Sequence, residues 1–374
     1  MESGSCRPEG ETADCVGRAL SIVVIGRNEG QRLAKCLKSI CAIRGFEKFQ
    51  LIYADSASAD GSAELAAQYG AEVVVVYPER PTAAIGRNAG WRRATEEFVL
   101  FLDGDTVLHP DFSRAAFDAM TADSQICAVW GHRREMHPDQ SIYNRVLDLD
   151  WVYAPGFVEA CGGDVLMRRS ALIKAGGYDE QLIAGEEPEL CRRLRAQGYS
   201  ILHIDHPMTR HDLHITRWSQ YWRHGRRAGY AYGQVSDRFK STGDPFWLAD
   251  ARRGFMLGCF WGLTLMAALA ASVRYMYLPM TIWLCLFLTA SFRSAWRARW
   301  KNNDAMTLIL YGAHSHLQHL PIIVGQLQYL LDKRRGKQRD LIEYKQNETK
   351  RELINASPQD KEGRAILART SEKL

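Results

Sequence analysis

The chain has 374 residues, a net charge of +5 and a hydrophobic fraction of 46%, so it can bury a large core and hold two domains. The small net charge, without a basic stripe interleaved with aromatic residues in the first half, predicts no nucleic acid partner. Nine cysteines without a C-x-x-C pair give no support for a zinc site or a thioredoxin-like motif.

The first hundred residues alternate between strand and helix patterns after a polar leader, residues 1–18. Short runs of branched and aromatic residues predict strands at Leu20–Ile25, Phe49–Ala54, Ala71–Tyr77 and Phe98–Leu102. Helical spacing predicts helices between them at Gln31–Ile40, Ala63–Tyr69 and Thr82–Glu97. This alternation predicts a parallel sheet with helices on both faces.

Polar clusters follow three of these strands: Arg27-Asn28-Glu29, Asp55 to Asp60, and Asp103-Gly104-Asp105. Ligands of such sheets sit beyond the carboxyl ends of the strands, so the clusters predict one pocket. Asp103 and Asp105 stand at i and i+2 and point the same way from an extended backbone. This geometry suits Mg²⁺ or Mn²⁺ shared with a nucleotide diphosphate. A solvated Asp-Gly-Asp turn is the alternative for the pair taken alone.

Five stretches together resemble the family 2 glycosyltransferases with the GT-A fold, over roughly residues 20–205. In order, they are Val24–Glu29, Ala54–Ser62, Gly86–Gly90, Leu102–Asp105, and the Gly176–Glu180 turn that leads to the pair Glu186-Glu187. The resemblance implies an α/β fold: a GT-A, Rossmann-like nucleotide-sugar-binding domain, followed here by C-terminal membrane helices.

The resemblance also implies roles for individual residues. The donor nucleotide sugar would be bound by Arg27, Asn28, Glu29, Asp55, Arg87, Asp103 and Asp164, with Asp55 on the base, Arg87 facing the base or phosphates, and Asp103 on the ribose. Asp103 and Asp105 would hold the metal. The plainer alternatives are a turn former at Asp55 and a surface helix charge at Arg87.

The acidic pair Glu186-Glu187 is expected to supply the catalytic base. The family usually has Glu-Asp here, with the second residue as base, which places the role on Glu187 and leaves Glu186 as the fallback. Glu187 keeps the carboxylate but lengthens it by one methylene. A partner of the helix dipole is the alternative role for a carboxylate at this position.

A basic, aromatic stretch runs from Arg217 to Tyr230. Related membrane-bound enzymes use such an element for the donor diphosphate and acceptor, a role that here falls to Gln220, Arg223, Arg226 and Arg227. An amphipathic interfacial helix is the alternative, and both can hold. His211 and His214 are expected to form no metal site, because the sequence offers no third convergent ligand. Three further aromatic residues would suit a sugar site but are interpreted as core: Trp151, Tyr153 and Phe157.

Gly254–Val273 is uncharged and long enough to cross a hydrocarbon core of about 30 Å. Tyr275–Phe292 is predicted to form a second span. Only Arg274 separates it from the first, so the two spans are expected to form a hairpin. Arg252-Arg253 before it and basic residues after it place both ends in the cytoplasm. Ala305–Leu331 is expected to lie in the interface or to dip in and return, because polar residues and Pro321 interrupt it.

These patterns predict four regions. They are a flexible leader (1–18), a GT-A domain ending in an interfacial helix (19–240), a membrane hairpin with an interfacial helix (241–332), and a charged cytoplasmic tail (333–374). The leader lacks the apolar run of a signal peptide, which predicts a cytoplasmic catalytic domain at the inner cell membrane.

The predicted function is an inverting, metal-dependent glycosyltransferase. It would move a sugar from a nucleotide sugar, expected to be a UDP-sugar, to a lipid-linked or polysaccharide acceptor. A catalytically inactive nucleotide-binding scaffold of a membrane glycan-assembly complex is the alternative, supported only by Glu187 in place of Asp. A nucleotidyltransferase is disfavoured because no glycine- and lysine-rich phosphate loop follows the first strand.

Overall fold

The computed structural model describes residues 18–46, 48–243 and 245–337, so the leader up to residue 17 and the tail from residue 338 lie outside the described residues. The strands are β1 Ala19–Gly26, β2 Lys48–Asp55, β3 Glu72–Val75, β4 Phe98–Asp103, β5 Thr106–Leu108, β6 Ile126–Glu135, β7 Gly156–Val158, β8 Val165–Arg168 and β9 Ser200–His211. The helices are α1 Gln31–Cys41, α2 Ser62–Gln68, α3 Ala83–Trp91, α4 Phe112–Ala122, α5 Ile142–Asp150, α6 Arg169–Ala175, α7 Glu186–Ala196, α8 Trp218–Phe239, α9 Leu248–Tyr275, α10 Leu278–Arg297, α11 Ala305–Leu317 and α12 His319–Arg334.

All these strands belong to one mixed sheet with the order β3-β2-β1-β4-β8-β6-β9-β5, and β7 pairs with β9. The prediction of a parallel sheet is correct for β3, β2, β1 and β4. It is wrong beyond β4, because β8 runs antiparallel to both of its neighbours and β9 runs antiparallel to β5 and β7. The regular strand–helix alternation ends at β4, and β8 enters the sheet only after α5 and β7.

Apolar spacing explains the first elements. On α1 the residues three and four apart, Leu33, Leu37 and Ile40, are buried. Thr82 caps α3 by accepting a hydrogen bond from the Ile85 amide at 3.3 Å. This helix ends at Trp91, which is earlier than the predicted Thr82–Glu97, and a turn then leads into β4.

Both predicted membrane spans are helical. Gly254–Val273 lies within α9 and most of Tyr275–Phe292 within α10, and these two helices are long and apolar enough to cross a membrane. The segment Ala305–Leu331 forms α11 and α12 with a turn at Gln318 between them. Pro321 has no N–H to donate to the carbonyl of Leu317, which explains a break in the helix at this point.

Helices α8 and α12 pack unusually closely through glycine. A Cβ on Gly229 would lie 2.0 Å from the carbonyl oxygen of Ile322, and one on Gly325 would lie 2.1 Å from that of Arg226. Gly225 and Gly233, one turn to either side of Gly229, face α12 as well. The helix that follows the sheet is therefore fixed against the C-terminal helices.

Candidate active site

The three polar clusters predicted at strand ends meet at one edge of the sheet. In the parallel register Ile25 lies beside Asp103 and Gly26 beside Asp55. The loops are tied across this edge, since the Gly104 amide donates to the Ile25 carbonyl at 2.8 Å. The three polar clusters therefore lie together in the structure, as the strand pattern predicted.

Asp103, Asp105 and His211 form a candidate metal site. One ligand atom from each residue lies within 4.8 Å of the others, and Asp105 Oδ1 is 3.2 Å from His211 Nε2. The pairing of β5 with β9 places Thr106 opposite His211, which brings the end of β9 beside Asp105. Sequence reasoning missed His211, because its partners stand about a hundred residues away and only this pairing brings them together.

The electrostatics of His211 fit a metal ligand. Burial, and then the nearby charge of Arg133, lower the pKa of His211 to about 3, so its imidazole is neutral near neutral pH. Neutral imidazole is the form that binds metals. Its Nδ1 is buried and has no hydrogen-bond partner among the described residues. Two carboxylates and a neutral imidazole therefore make a donor set that suits a divalent cation.

Arg87 lies beneath the site, with a side chain that is 2% exposed, and joins its acidic groups. Nη2 is 2.9 Å from Asp103 Oδ1, while Nη1 is 2.8 Å from Glu186 Oε1 and 3.1 Å from Glu187 Oε1. Gly163 leaves room for this guanidinium, because a Cβ there would lie 2.2 Å from Nη2. A buried charge needs such partners, and these bring a candidate metal ligand and both candidate bases together.

Glu187 stands in the first turn of α7, two residues after the N-cap Gly185, whose φ is 85°. Burial, followed by repulsion from Glu186, raises the pKa of Glu187 to about 7, although Arg87 opposes the shift. A carboxylate with a pKa near neutrality is well matched to accept a proton at physiological pH. The neighbouring Glu186 is more deeply buried, so Glu187 is the more open of the two carboxylates.

The residues predicted to hold the nucleotide base divide into two groups. Arg27, Asn28 and Glu29 line the cavity. Asp55 does not: it is 1% exposed, and its carboxylate accepts hydrogen bonds from the amide and the hydroxyl of Ser58. The Asn28 side chain in turn accepts from the Ala59 amide at 2.8 Å, so the loops after β1 and β2 brace each other.

Asp164 supports the site from below and does not line the cavity. It accepts hydrogen bonds from the Asp103 amide at 2.9 Å and from the Thr209 hydroxyl at 2.8 Å. Arg133, which sequence reasoning did not select, does line the cavity. Its guanidinium lies 3.7 Å from Asp103 Oδ2 and 4.6 Å from the centroid of the Trp151 ring.

The residues predicted on α8 differ in position. Arg227 lines the cavity, whereas Gln220, Arg223 and Arg226 are not among the residues that do. Gln220 caps its own helix, accepting from the Arg217 amide at 3.0 Å and donating to the His214 carbonyl at 3.1 Å. For the donor diphosphate and the acceptor, the geometry therefore favours Arg227 among the four.

One cavity of about 660 Å³ connects these groups, which is within the range of ligand sites. It runs from the loops after β1 and β4, past Glu187 and His211, to α8 and Trp247. The interpretation of the aromatic residues as core is wrong for Tyr153 and Phe157, which are 48% and 70% exposed. Tyr153 and Trp151 line the cavity.

A sheet edge that gathers a candidate cation site and a candidate carboxylate base around one cavity is the arrangement that the resemblance to glycosyltransferases with the GT-A fold implies. The overall shape agrees. A mannosyltransferase (PcManGT) from Pyrobaculum calidifontis, solved in complex with GDP-Man and Mn²⁺, superposes with a TM-score of 0.61 over 86% of this chain and 90% of its own, at 19% identity.

Two glycosyltransferase families match the sequence. Residues 98–294 match the Glycosyl transferase family group 2, and residues 21–174 match Glycosyl transferase family 2. The chain belongs to the family 2 glycosyltransferases, which confirms the resemblance, the fold class and the class of enzyme inferred from the sequence.

Two curated relatives illustrate the range of the family. A poly-beta-1,6-N-acetyl-D-glucosamine synthase of Staphylococcus aureus is 23% identical over 188 residues, which is 46% of this chain and 45% of the relative. The O-antigen chain rhamnosyltransferase WbaN of Salmonella anatum is 22% identical over 189 residues, 47% of this chain and 60% of the relative. This chain thus spans about half the length of the curated relatives it matches.

Proposed function

We propose that this glycosyltransferase moves a sugar from a UDP-sugar to a lipid-linked or polysaccharide acceptor at the cytoplasmic face of the inner membrane, with inversion at the anomeric carbon. The observation that carries the proposal is that the Arg87 guanidinium contacts both Asp103 of the candidate metal site and Glu187, the candidate base. Both carboxylates line one cavity. The donor and the acceptor would then meet between them.

Asp103, Asp105 and His211 would hold the divalent cation. Bound there, the cation would neutralise charge that develops on the departing nucleotide diphosphate. Imidazole is a ligand of transition metals rather than of Mg²⁺, so the donor set favours Mn²⁺ over Mg²⁺. Arg27, Asn28 and Glu29 would border the nucleotide at the adjoining end of the cavity, with Asp55 holding their loop in place.

Glu187 would accept the proton of the acceptor hydroxyl as that oxygen attacks the anomeric carbon. The bond from the sugar to the diphosphate breaks in the same displacement, and Arg133 and Arg227, which line the cavity, add positive charge near the leaving group. Attack from the side opposite the leaving group inverts the anomeric centre. Buried Arg87 keeps the base and the diphosphate end of the site in a fixed relation.

Helices α9 and α10 support attachment to a membrane. They carry long apolar runs of which only a small part is buried, and basic residues flank both ends of the pair. By the positive-inside rule, the sheet would then face the cytoplasm. The alternative, an inactive nucleotide-binding scaffold, rests on Glu187 in place of Asp, and the closeness of this carboxylate to Arg87 and the cavity supports a base instead.

The test uses the purified full chain in detergent. Thermal unfolding is followed with a panel of nucleotide sugars, with Mn²⁺ and with Mg²⁺, because a ligand of the native state raises its stability by mass action. We expect UDP-sugars with Mn²⁺ to give the largest shift and to be turned over, and Asp105→Ala to abolish both effects. Full turnover by folded Asp105→Ala protein would contradict the proposal.

The third ligand is tested by binding of Mn²⁺ alone, read by electron paramagnetic resonance. Replacing even the hydrogen-bonding partner of a metal ligand weakens affinity by about 10- to 100-fold, so His211→Ala should cost at least about tenfold. His206→Ala, which changes another histidine on β9, is the matched control and should leave Mn²⁺ affinity unchanged. Equal affinity of His211→Ala and wild type would remove His211 from the site.

A further inference from the structure

The cavity contains a carboxylate, Asp150, that the proposed transfer does not use. Asp150 is the last residue of α5, lines the cavity, and has a side chain that is 34% exposed. A negative charge at a helix C-terminus is opposed by the helix dipole. Its retention there therefore requires partners from elsewhere in the fold.

Those partners come from the helix that follows the hairpin. Tyr311 on α11 donates its hydroxyl to Asp150 Oδ1 at 2.9 Å, and His314 Nε2 lies 3.1 Å from Oδ2. The ring of His314 is fixed in turn by Tyr221 of α8, at 2.8 Å from Nδ1. Lys301 donates to the Leu149 carbonyl at 2.8 Å and so compensates the end of α5.

This arrangement keeps Asp150 ionised. Burial alone would raise its pKa, but the neighbouring His314, together with the Tyr311 hydroxyl, holds the pKa of Asp150 below its usual range. Each oxygen of the carboxylate has one of these partners, and an ionised carboxylate offers about four acceptor positions in all. Acceptor capacity is therefore left for a ligand in the cavity.

Aromatic residues line the same cavity as this carboxylate: Trp151, Tyr153, Tyr232 and Trp247. Burial, and after it the charge of Asp150, contributes to the raised pKa values of Tyr153 and Tyr232. The rings of Tyr232 and Trp247 are 4.8 Å apart. Aromatic faces cover the apolar C–H face of a pyranose, while a carboxylate accepts hydrogen bonds from adjacent hydroxyl groups. A fixed anion of this kind disfavours a phosphate at the same place.

We propose that Asp150 and the aromatic residues that line the same cavity bind the terminal sugar ring of the acceptor, so that the acceptor is a glycan end rather than a bare lipid phosphate. The inference rests on the proposed transferase function and deepens it. Tyr311 and His314 are positioning residues. The acceptor site therefore depends on α11, which follows the α9–α10 hairpin in the chain.

The experiment measures binding of acceptor probes separately from the donor. Saturation-transfer NMR on the full chain in detergent uses a panel of p-nitrophenyl hexosides in both anomeric forms, and farnesyl phosphate as the lipid phosphate probe. We expect at least one hexoside to bind wild type. Hydrogen bonds to a charged group are worth enough that Asp150→Asn should weaken this binding about tenfold or more. Farnesyl phosphate should not compete with the hexoside.

Two further variants separate positioning from folding. Tyr311→Phe should weaken hexoside binding about threefold to tenfold while the dissociation constant of UDP with Mn²⁺ stays at the wild-type value. His316→Gln, on the same helix but bonded to Ser294 of α10, is the matched control and should leave hexoside binding unchanged. A rise in unfolding temperature with UDP and Mn²⁺ shows that each variant is folded.

Each outcome either supports the sugar site or contradicts one of the two proposed sites. Equal hexoside affinity in wild type and folded Asp150→Asn overturns the sugar site, as does failure of every hexoside to bind wild type. Displacement of the hexoside by farnesyl phosphate also overturns it, in favour of a lipid phosphate. Failure of UDP to bind wild type contradicts the donor site of the proposed function instead, whatever the hexosides do.

Discussion

The sheet edge and the α9–α10 hairpin differ in which side chains they bury. Around the sheet edge, charged groups such as Arg87, Asp105 and Glu186 are almost completely buried and are paired with one another or with their neighbours. In the hairpin, large apolar side chains point outward, and Val273 is 91% exposed. By contrast, the apolar residues of β4 are buried, as are Leu20, Ile22, Val23 and Val24 of β1.

Different physical effects stabilise the two regions. At the sheet edge, charges held in a water-poor site depend on each other, so removal of one leaves its partners unpaired. In the C-terminal helices, stability depends instead on side-chain size, because the close contacts are made by glycine and backbone. Changes of charge should therefore disturb the first region most, and changes of side-chain size the second.

The largest effect is expected from the candidate base. Glu187→Gln removes the proton acceptor but keeps the shape of the side chain, and general-base catalysis contributes about 10²- to 10⁴-fold. The turnover number, measured by release of UDP, should fall by that factor. Glu187→Asp restores a carboxylate one methylene shorter and should recover part of the loss. A turnover number for Glu187→Gln within a factor of three of wild type would exclude this role.

The next effect is on stability. Arg87→Met leaves Asp103, Glu186 and Glu187 without their shared cation, and breaking a buried pair costs about 3–5 kcal/mol. The control is Arg92→Met on the adjoining turn, whose ion pair with Glu180 is exposed and worth at most about 1 kcal/mol. Denaturant unfolding of both variants measures the contrast. Equal losses would mean that the buried cluster is not what stabilises the sheet edge.

In the helical region the matching change is one of size. Gly229→Ala places a methyl group against the Ile322 carbonyl, and overpacking of this kind costs about 1–3 kcal/mol. Gly262→Ala on α9 is the control, because its nearest neighbour, Leu320, would be at an ordinary 3.7 Å. That variant should be neutral or more stable, since Ala favours helix. Thermal unfolding in detergent distinguishes the two, and similar Tm values would argue against close α8–α12 packing.

The smallest effect is on the pH profile. Glu187 can accept a proton only when ionised, and because its pKa is raised to about 7, kcat/KM should rise with pH through 7 and then level off. At one pH unit below the midpoint the rate should be about tenfold lower. Glu186→Gln removes the repelling neighbour and should move the midpoint to lower pH. A profile flat between pH 5 and 8 in wild type would assign the proton transfer elsewhere.

Local sequence patterns are sufficient to predict the strand ends, the Asp103–Asp105 pair, the acidic pair that opens α7, and the two long apolar helices. These features depend on residues within a few positions of each other, where strand alternation and helical spacing act. Local patterns could not determine that the sheet becomes mixed after β4, because strand direction depends on pairing between distant segments.

Which of the polar residues come into contact depends on how the chain folds. His211 joins Asp105 through the pairing of β5 with β9, and Arg87 reaches Glu187 from α3. Asp150 depends on α11, which lies beyond the hairpin in the chain. In each case the partners are about a hundred residues apart or more. Their contact follows from how whole strands and helices pack, which no local spacing records.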